Sequence, residues 1–236
     1  MYLALLAQHL DPARFVLSAV LPPDAGADRL RRMLTSCGVS ITTLPRPGYS
    51  SFRALPEMRR AFRAVGGDVL HLNLPSSYDA GVSAAALAAH EAGYARVIST
   101  EHLPMIERKY RKFPTKLFFS QWVDRAIVMT EQNRRFLIER HGFDPEKIRV
   151  IDNGVNDVRP LTAEERAELR TSWGARGDDL LIGNVASLTR RKGQHILLRA
   201  LARLASMQES LPSWRVVVLG EGEERASLEA QAAALG

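Results

Sequence analysis

The chain has 236 residues, 46% of them hydrophobic, one cysteine and a formal net charge of +6 at pH 7. That length and composition support one large or two small globular domains with an ordinary core. The lone cysteine, Cys37, excludes an intramolecular disulfide and cannot make a metal site by itself, so the reducing cytoplasm is the expected compartment.

Mean hydropathy is −0.13, and no apolar run approaches the length that spans a bilayer. The opening MYLALLAQHL is apolar but lacks a basic leading segment and carries Gln8 and His9. It reads as an amphipathic helix over residues 2–10, ended by Asp11-Pro12, rather than as a secretory signal. Residues 15–21 (FVLSAVL) are a strand-like run stopped by Pro22-Pro23. A helix over 28–36 places Leu30 and Leu34 four apart, with Gly38 as its stop. A β-branched strand at 39–44 follows, closed by Pro45. Leu55, Met58, Phe62 and Val65 then keep a helical period up to Gly66-Gly67, and 69–74 is the next strand.

The alternation continues with a small-residue helix over about 79–91 and a strand at 96–100. A helix around 115–123 and a strand at 125–129 come next. Thr130 caps a helix running to His141, and 148–151 is a further strand. Short apolar strands separated by helices are the pattern of a parallel sheet covered on both faces. The first domain, residues 1–157, is therefore predicted to be α/β and doubly wound. Thr162-Ala-Glu-Glu165 is a capping box opening a linker helix within 158–179 that stops at Gly174. A second alternation fills 180–236: strand 180–188, helix 194–205, strand 214–219, and a helix from about Glu224. Two βα units do not close a doubly wound sheet, so this second domain is predicted to be incomplete.

The pI near 9.8 suggests an anionic partner. The densest basic cluster is Arg108, Lys109, Arg111, Lys112 and Lys116, interleaved with Tyr110 and Phe113. It is either a solvated loop or a patch for anionic lipid or a charged acceptor. Nucleic acid is not expected, because no nucleic-acid motif surrounds the cluster.

Four blocks sharpen the reading. Residues 123–155 (VDRAIVMTEQNRRFLIERHGFDPEKIRVIDNGV) resemble the stretch that ends the N-terminal domain of family-4 glycosyltransferases with an IPNGV-like turn. Residues 180–204 (LLIGNVASLTRRKGQHILLRALARL) resemble that family's first donor-domain strand, phosphate loop and helix. Residues 214–236 are similar to its next strand, GDGPER-like turn and helix. DVLHLNLP (68–75) followed by VISTEHLP (97–104) matches its acceptor-side strands. In this order and spacing the blocks resemble a GT-B type enzyme built from two Rossmann-like halves.

The resemblance implies transfer of a sugar from a nucleotide-diphosphate donor to a glycan, lipid-linked or small-molecule acceptor. It further implies retention of anomeric configuration, no obligatory metal or other cofactor, and donor and acceptor meeting between the two domains. A sugar leaving with its diphosphate builds negative charge, which without a metal must be met by Arg or Lys and by a helix N-terminus. Lys192-Gly193 lies between a strand and a helix, where such a group belongs; the bland alternative is a solvated lysine at a helix start. The family commonly has Arg five residues before this lysine. Here that place is Ser187, and Arg190 and Arg191 stand nearby as substitutes.

His102, in Thr100-Glu101-His102, falls at the carboxyl end of a strand, where open α/β sheets bind ligands. By resemblance it is the candidate catalytic residue, against a purely hydrogen-bonded structural role. His71 and Glu101 are acceptor-side candidates, and Asn73 is a weaker one. Asn153-Gly154 is expected to shape the turn between domains, with Gly154 at positive φ, and by resemblance lies near the donor. Gly220 and Gly222 need only form a tight strand-to-helix turn, although the equivalent family loop borders the nucleotide.

By the same resemblance a strand and a glycine-containing loop precede the helix at Tyr2, and that strand is central in a sheet of order 3-2-1-4-5. Strands 15–21 and 69–74 are then expected to lack the neighbour between them. The family's acidic donor motif does not occur in the chain, so residues 1–236 are expected to be a fragment without activity of its own. The alternatives are an inactive remnant or basic membrane-surface module using residues 108–116, and a GT-B nucleotide-sugar epimerase. An NAD-type Rossmann enzyme is disfavoured, because Gly220-Glu-Gly222 lacks the third glycine of G-x-G-x-x-G. The expected location is cytoplasmic, including the inner face of the membrane.

Overall fold

The computed structural model describes residues 2–23, 27–44, 54–74, 80–102, 117–118, 120–207 and 212–236. The chain divides into two compact units, Met1–Asp157 and Val158–Gly236.

The first unit runs α1 (Tyr2–His9), β1 (Ser18–Leu21), α2 (Asp28–Ser36), β2 (Ser40–Thr43), α3 (Leu55–Val65), β3 (Val69–Leu74), α4 (Ala80–Ala92), β4 (Arg96–Glu101), β5 (Arg125–Val128), α5 (Glu131–His141) and β6 (Ile148–Val150). All pairings are parallel. β1 pairs with β2, and β3, β4, β5 and β6 form a four-stranded sheet in that order. Among the described residues no ladder joins β1 to β3. That is the place where the resemblance puts a further strand.

Met58 and Phe62, one turn apart on α3, bury against Leu72 of β3 and Val97 of β4. Ala84, Ala85, Ala86, Ala88 and Ala89 of α4 belong to the same core, and their small side chains let α3 and α4 approach closely. A second core joins Ala126, Val128, Leu137, Phe143 and Ile148 beneath α5. The helix above it starts where the Thr130 hydroxyl accepts from the Asn133 N–H at 3.1 Å, and it ends at Gly142, φ 64°.

The second unit contains α6 (Ala163–Ser172), β7 (Leu180–Val185), α7 (Gln194–Ala205), β8 (Trp214–Leu219) and α8 (Arg225–Leu235). Thr162 and Glu165 close the predicted capping box. β7 and β8 pair in parallel from Leu180↔Trp214 to Val185↔Leu219.

Two strands are shorter than the sequence predicts by three residues each. β1 begins at Ser18 rather than Phe15: the Arg14 and Phe15 N–H groups turn back onto the Asp11 carbonyl, and Val16 is 95% exposed. Apolar character alone does not extend a strand beyond the reach of its partner, here Ser40. β7 ends at Val185 rather than Leu188, because the Leu188 N–H leaves the ladder to reach the Glu221 carbonyl at 2.8 Å. Gly154 does not take the expected positive φ. It sits in the exposed, irregular run 151–162, where an added Cβ would meet nothing within 4 Å. The helix expected around 115–123 falls largely outside the described residues.

Candidate functional site

In a parallel pair, residues in register point to the same face, and every second residue along a strand returns to it. His71 pairs with Ile98 and Asn73 with Thr100, so His71, Asn73 and Thr100 share a face, with His102 just past the end of β4. The side chains cross diagonally between the strands. His71 Nε2 lies 2.7 Å from Thr100 Oγ1, and His102 Nε2 lies 2.8 Å from Asn73 Oδ1.

Tyr2, at the start of α1, lies against this cluster. Its ring meets His102 edge-on at 4.8 Å and His71 at 6.0 Å, and its hydroxyl is 3.5 Å from Thr100 Oγ1. Burial lowers the His71 pKa to about 4, helped by the neighbouring His102. Burial also lowers that of His102. The carboxyl edge of the sheet thus presents two neutral imidazoles, each with a hydrogen-bonded Nε2. Glu101 is buried, but strand alternation turns it to the opposite face from Thr100. The structure brings His71 and His102 together and leaves Glu101 off their face. Tyr2 and Thr100 were not singled out by the sequence, since only strand register and the packing of α1 bring them here.

In the second unit the chain leaves β7, makes a tight turn at Arg190–Lys192 and enters α7 through Gly193. Gly193 has φ 75°, and an added Cβ would meet only the tip of Ile196 at 4.0 Å. Conformation rather than space therefore selects glycine there. Gln194, 3% exposed, donates from Nε2 to the Ser187 carbonyl at 3.1 Å and ties the helix start to the loop. No sequence signal marks this glutamine, because its importance lies in burial.

Arg191 and Lys192 are exposed. Arg190, one of the two suggested substitutes for an arginine at Ser187, sits 3.9 Å from Glu224. At Gly220 and Gly222 space decides. A Cβ on Gly220 would collide with the Ala186 carbonyl oxygen, and one on Gly222 with that of Leu188. The loop after β8 therefore lies backbone to backbone against the loop after β7, held by Leu188 N–H to Glu221 O at 2.8 Å and Glu224 N–H to Leu188 O at 3.0 Å.

Asn153 and Gly154 are exposed in the first unit. Arg108, Lys109, Arg111, Lys112 and Lys116 lie outside the described residues. Among the described residues no group of three or more His, Cys, Asp or Glu could hold a metal ion, and no helix is long and apolar enough to cross a membrane.

Two parallel Rossmann-like α/β units are the pattern of the GT-B fold. The solved structure of Anabaena HepE in complex with UDP and glucose superposes with a TM-score of 0.69 at 17% identity, over 93% of this chain and 66% of HepE. Residues 1–159 match Glycosyltransferase Family 4 and residues 165–236 match Glycosyl transferases group 1, so the chain belongs to the family-4 glycosyltransferases. EpsD of Bacillus subtilis (strain 168) is 31% identical over 52% of this chain, and the match spans 32% of EpsD. The D-inositol 3-phosphate glycosyltransferase of Mycobacterium ulcerans is 33% identical over 41% of this chain, a match that spans 19% of that enzyme. The chain thus matches about a third or less of the length of these curated relatives.

Proposed function

We propose that the chain carries the acceptor side and the phosphate loop of a retaining glycosyltransferase that uses a nucleotide-diphosphate sugar. The observation that carries this is the turn Arg190–Lys192, Gly193 and the start of α7, an exposed cation directly ahead of a helix N-terminus. As the bond between the sugar and the diphosphate breaks, negative charge grows on the leaving phosphate. The first N–H groups of a helix have no intrahelical acceptor and carry its positive end, so those of α7 meet that charge, and Lys192 adds a full positive charge. In this reading protein groups do the work, without an obligatory metal.

Arg191 is better suited than Arg190 to stand in for the arginine absent at Ser187, since Arg190 is drawn to Glu224. Gly193 supplies the turn, and Gly220 and Gly222 shape the wall beside it. Asn153 and Gly154 are donor-side candidates from the first unit. His102 is the proposed catalytic residue, and His71 belongs to the acceptor side, whereas Glu101 faces away from them. The acceptor class is a glycan, a lipid-linked saccharide or a small molecule. Residues 108–116 are the proposed contact with an anionic membrane surface on the cytoplasmic side. HepE was solved with UDP-glucose, which makes UDP the first probe.

Calorimetric titration with UDP, GDP and ADP tests the donor assignment. We expect one of them to bind and Lys192→Ala to weaken it at least tenfold, about 1.4 kcal/mol, without loss of fold, because Lys192 is exposed. Failure of all three to bind, or binding indifferent to Lys192→Ala, overturns the assignment.

A further inference from the structure

We propose that Asn73 is a positioning residue that fixes His102 as its Nε2–H tautomer, leaving Nδ1 as the ring's acceptor for a hydroxyl of the bound sugar or acceptor. A neutral imidazole has one N–H and one lone pair, and the partner of one nitrogen decides which it is. Asn73 Oδ1, an amide oxygen, can only accept, and it stands 2.8 Å from His102 Nε2. The proton therefore sits on Nε2. The other imidazole has no such fixed instruction: His71 Nε2 faces the Thr100 hydroxyl at 2.7 Å, which donates or accepts by rotation.

The ring plane of His102 is held as well as its proton. Tyr2 packs edge-on at 4.8 Å on one side, and the Asn73 bond anchors Nε2 on the other. Among the described residues the titratable rings beside it are His71 and Tyr2. His71, lowered to about 4, is neutral at pH 7, and burial of His102 favours its own neutral ring. A neutral His102 whose Nδ1 lone pair has no partner among the described residues accepts a hydrogen bond from a hydroxyl. The opposite tautomer would present Nδ1–H and select an acceptor atom instead. The use of Nδ1 rests on the glycosyltransferase reading, whereas the tautomer itself is a property of the unliganded protein.

Histidine ¹⁵N–¹H correlation spectra of the uniformly labelled chain at pH 7.5 test this, with the His102 ring assigned by its loss in His102→Gln. We expect an Nδ1 resonance in the unprotonated range and an Nε2 resonance in the protonated range. Asn73→Asp keeps the acceptor and adds a charge. It should preserve the Nε2–H pattern and raise the His102 titration midpoint by at least one pH unit. Asn73→Leu, close in size but without the acceptor, should give averaged shifts from mixed tautomers in an otherwise dispersed spectrum. An Nδ1–H pattern in the parent chain, or an unmixed Nε2–H ring in Asn73→Leu, overturns the proposal. Neither result bears on whether nucleotide binds at Lys192, so the two readings fail separately.

Discussion

His71 is the residue whose burial has the clearest energetic consequence. Its pKa falls from 6.5 to about 4 in the folded chain, because a charged ring would lose water and face His102. A histidine lowered on folding binds fewer protons folded than unfolded. Its contribution to stability is complete above the unfolded pKa and is lost as pH falls from about 6.5 through about 4. Between pH 7.5 and 4.5 that loss amounts to about 2–3 kcal/mol. Urea unfolding of the first unit at both pH values, for the parent chain and His71→Gln, isolates the effect from the carboxylates common to both. The parent should lose about 2–3 kcal/mol more than the variant across this interval. Equal losses would mean that His71 keeps its unfolded pKa in the folded chain, too wet for burial to matter. His102 shares the direction, so acid should weaken the site along with the fold.

At the scale of elements, two glycines of similar appearance in the sequence carry opposite expectations. Gly220 closes β8 where the Ala186 carbonyl leaves no room for a Cβ, whereas Gly154 lies in open space without a positive φ. Gly220→Ala should therefore destabilise the second unit by about 1–3 kcal/mol, as forced overpacking does. Gly154→Ala should be neutral, or stabilise by about 0.4–1 kcal/mol through the unfolded chain. Thermal unfolding of the two variants decides; a Gly220→Ala protein as stable as its parent would show that the loops after β7 and β8 are not pressed together. The same contrast explains what was legible beforehand. α7 and β8 fall on the residues predicted, and Thr130 and Thr162 cap as expected, because periodicity and capping are local. The ends of β1 and β7 were not legible, since a partner strand sets them. Lys192-Gly193 stood out as a cation before a helix. The Asn73–His102 and His71–Thr100 pairs needed the β3–β4 register, and the approach of Tyr2 needed the packing of α1.

For the whole molecule, two compact units meeting the chain at Asp157 and Val158 make a single unfolding transition the wrong description. Calorimetry should resolve two heat absorptions, and variants assign them. Gly220→Ala should lower one, while the pH dependence contributed by His71 should appear in the other. The proposed diphosphate contacts at Lys192, Gly193 and α7 belong to the second unit. A nucleoside diphosphate that binds there stabilises that unit by RT ln(1 + [L]/Kd), about 2.7 kcal/mol at a hundredfold excess over Kd. The transition lowered by Gly220→Ala should therefore be the one raised by UDP, or by whichever of GDP and ADP binds, and Lys192→Ala should remove most of that rise. A rise confined to the His71-linked transition would relocate the nucleotide to the carboxyl edge of β3 and β4 and would take the donor role away from Lys192. The pair of imidazoles would then have to be reconsidered as the nucleotide's own contacts, since a neutral ring with a fixed Nδ1 lone pair suits a ribose or sugar hydroxyl and not a phosphate oxygen.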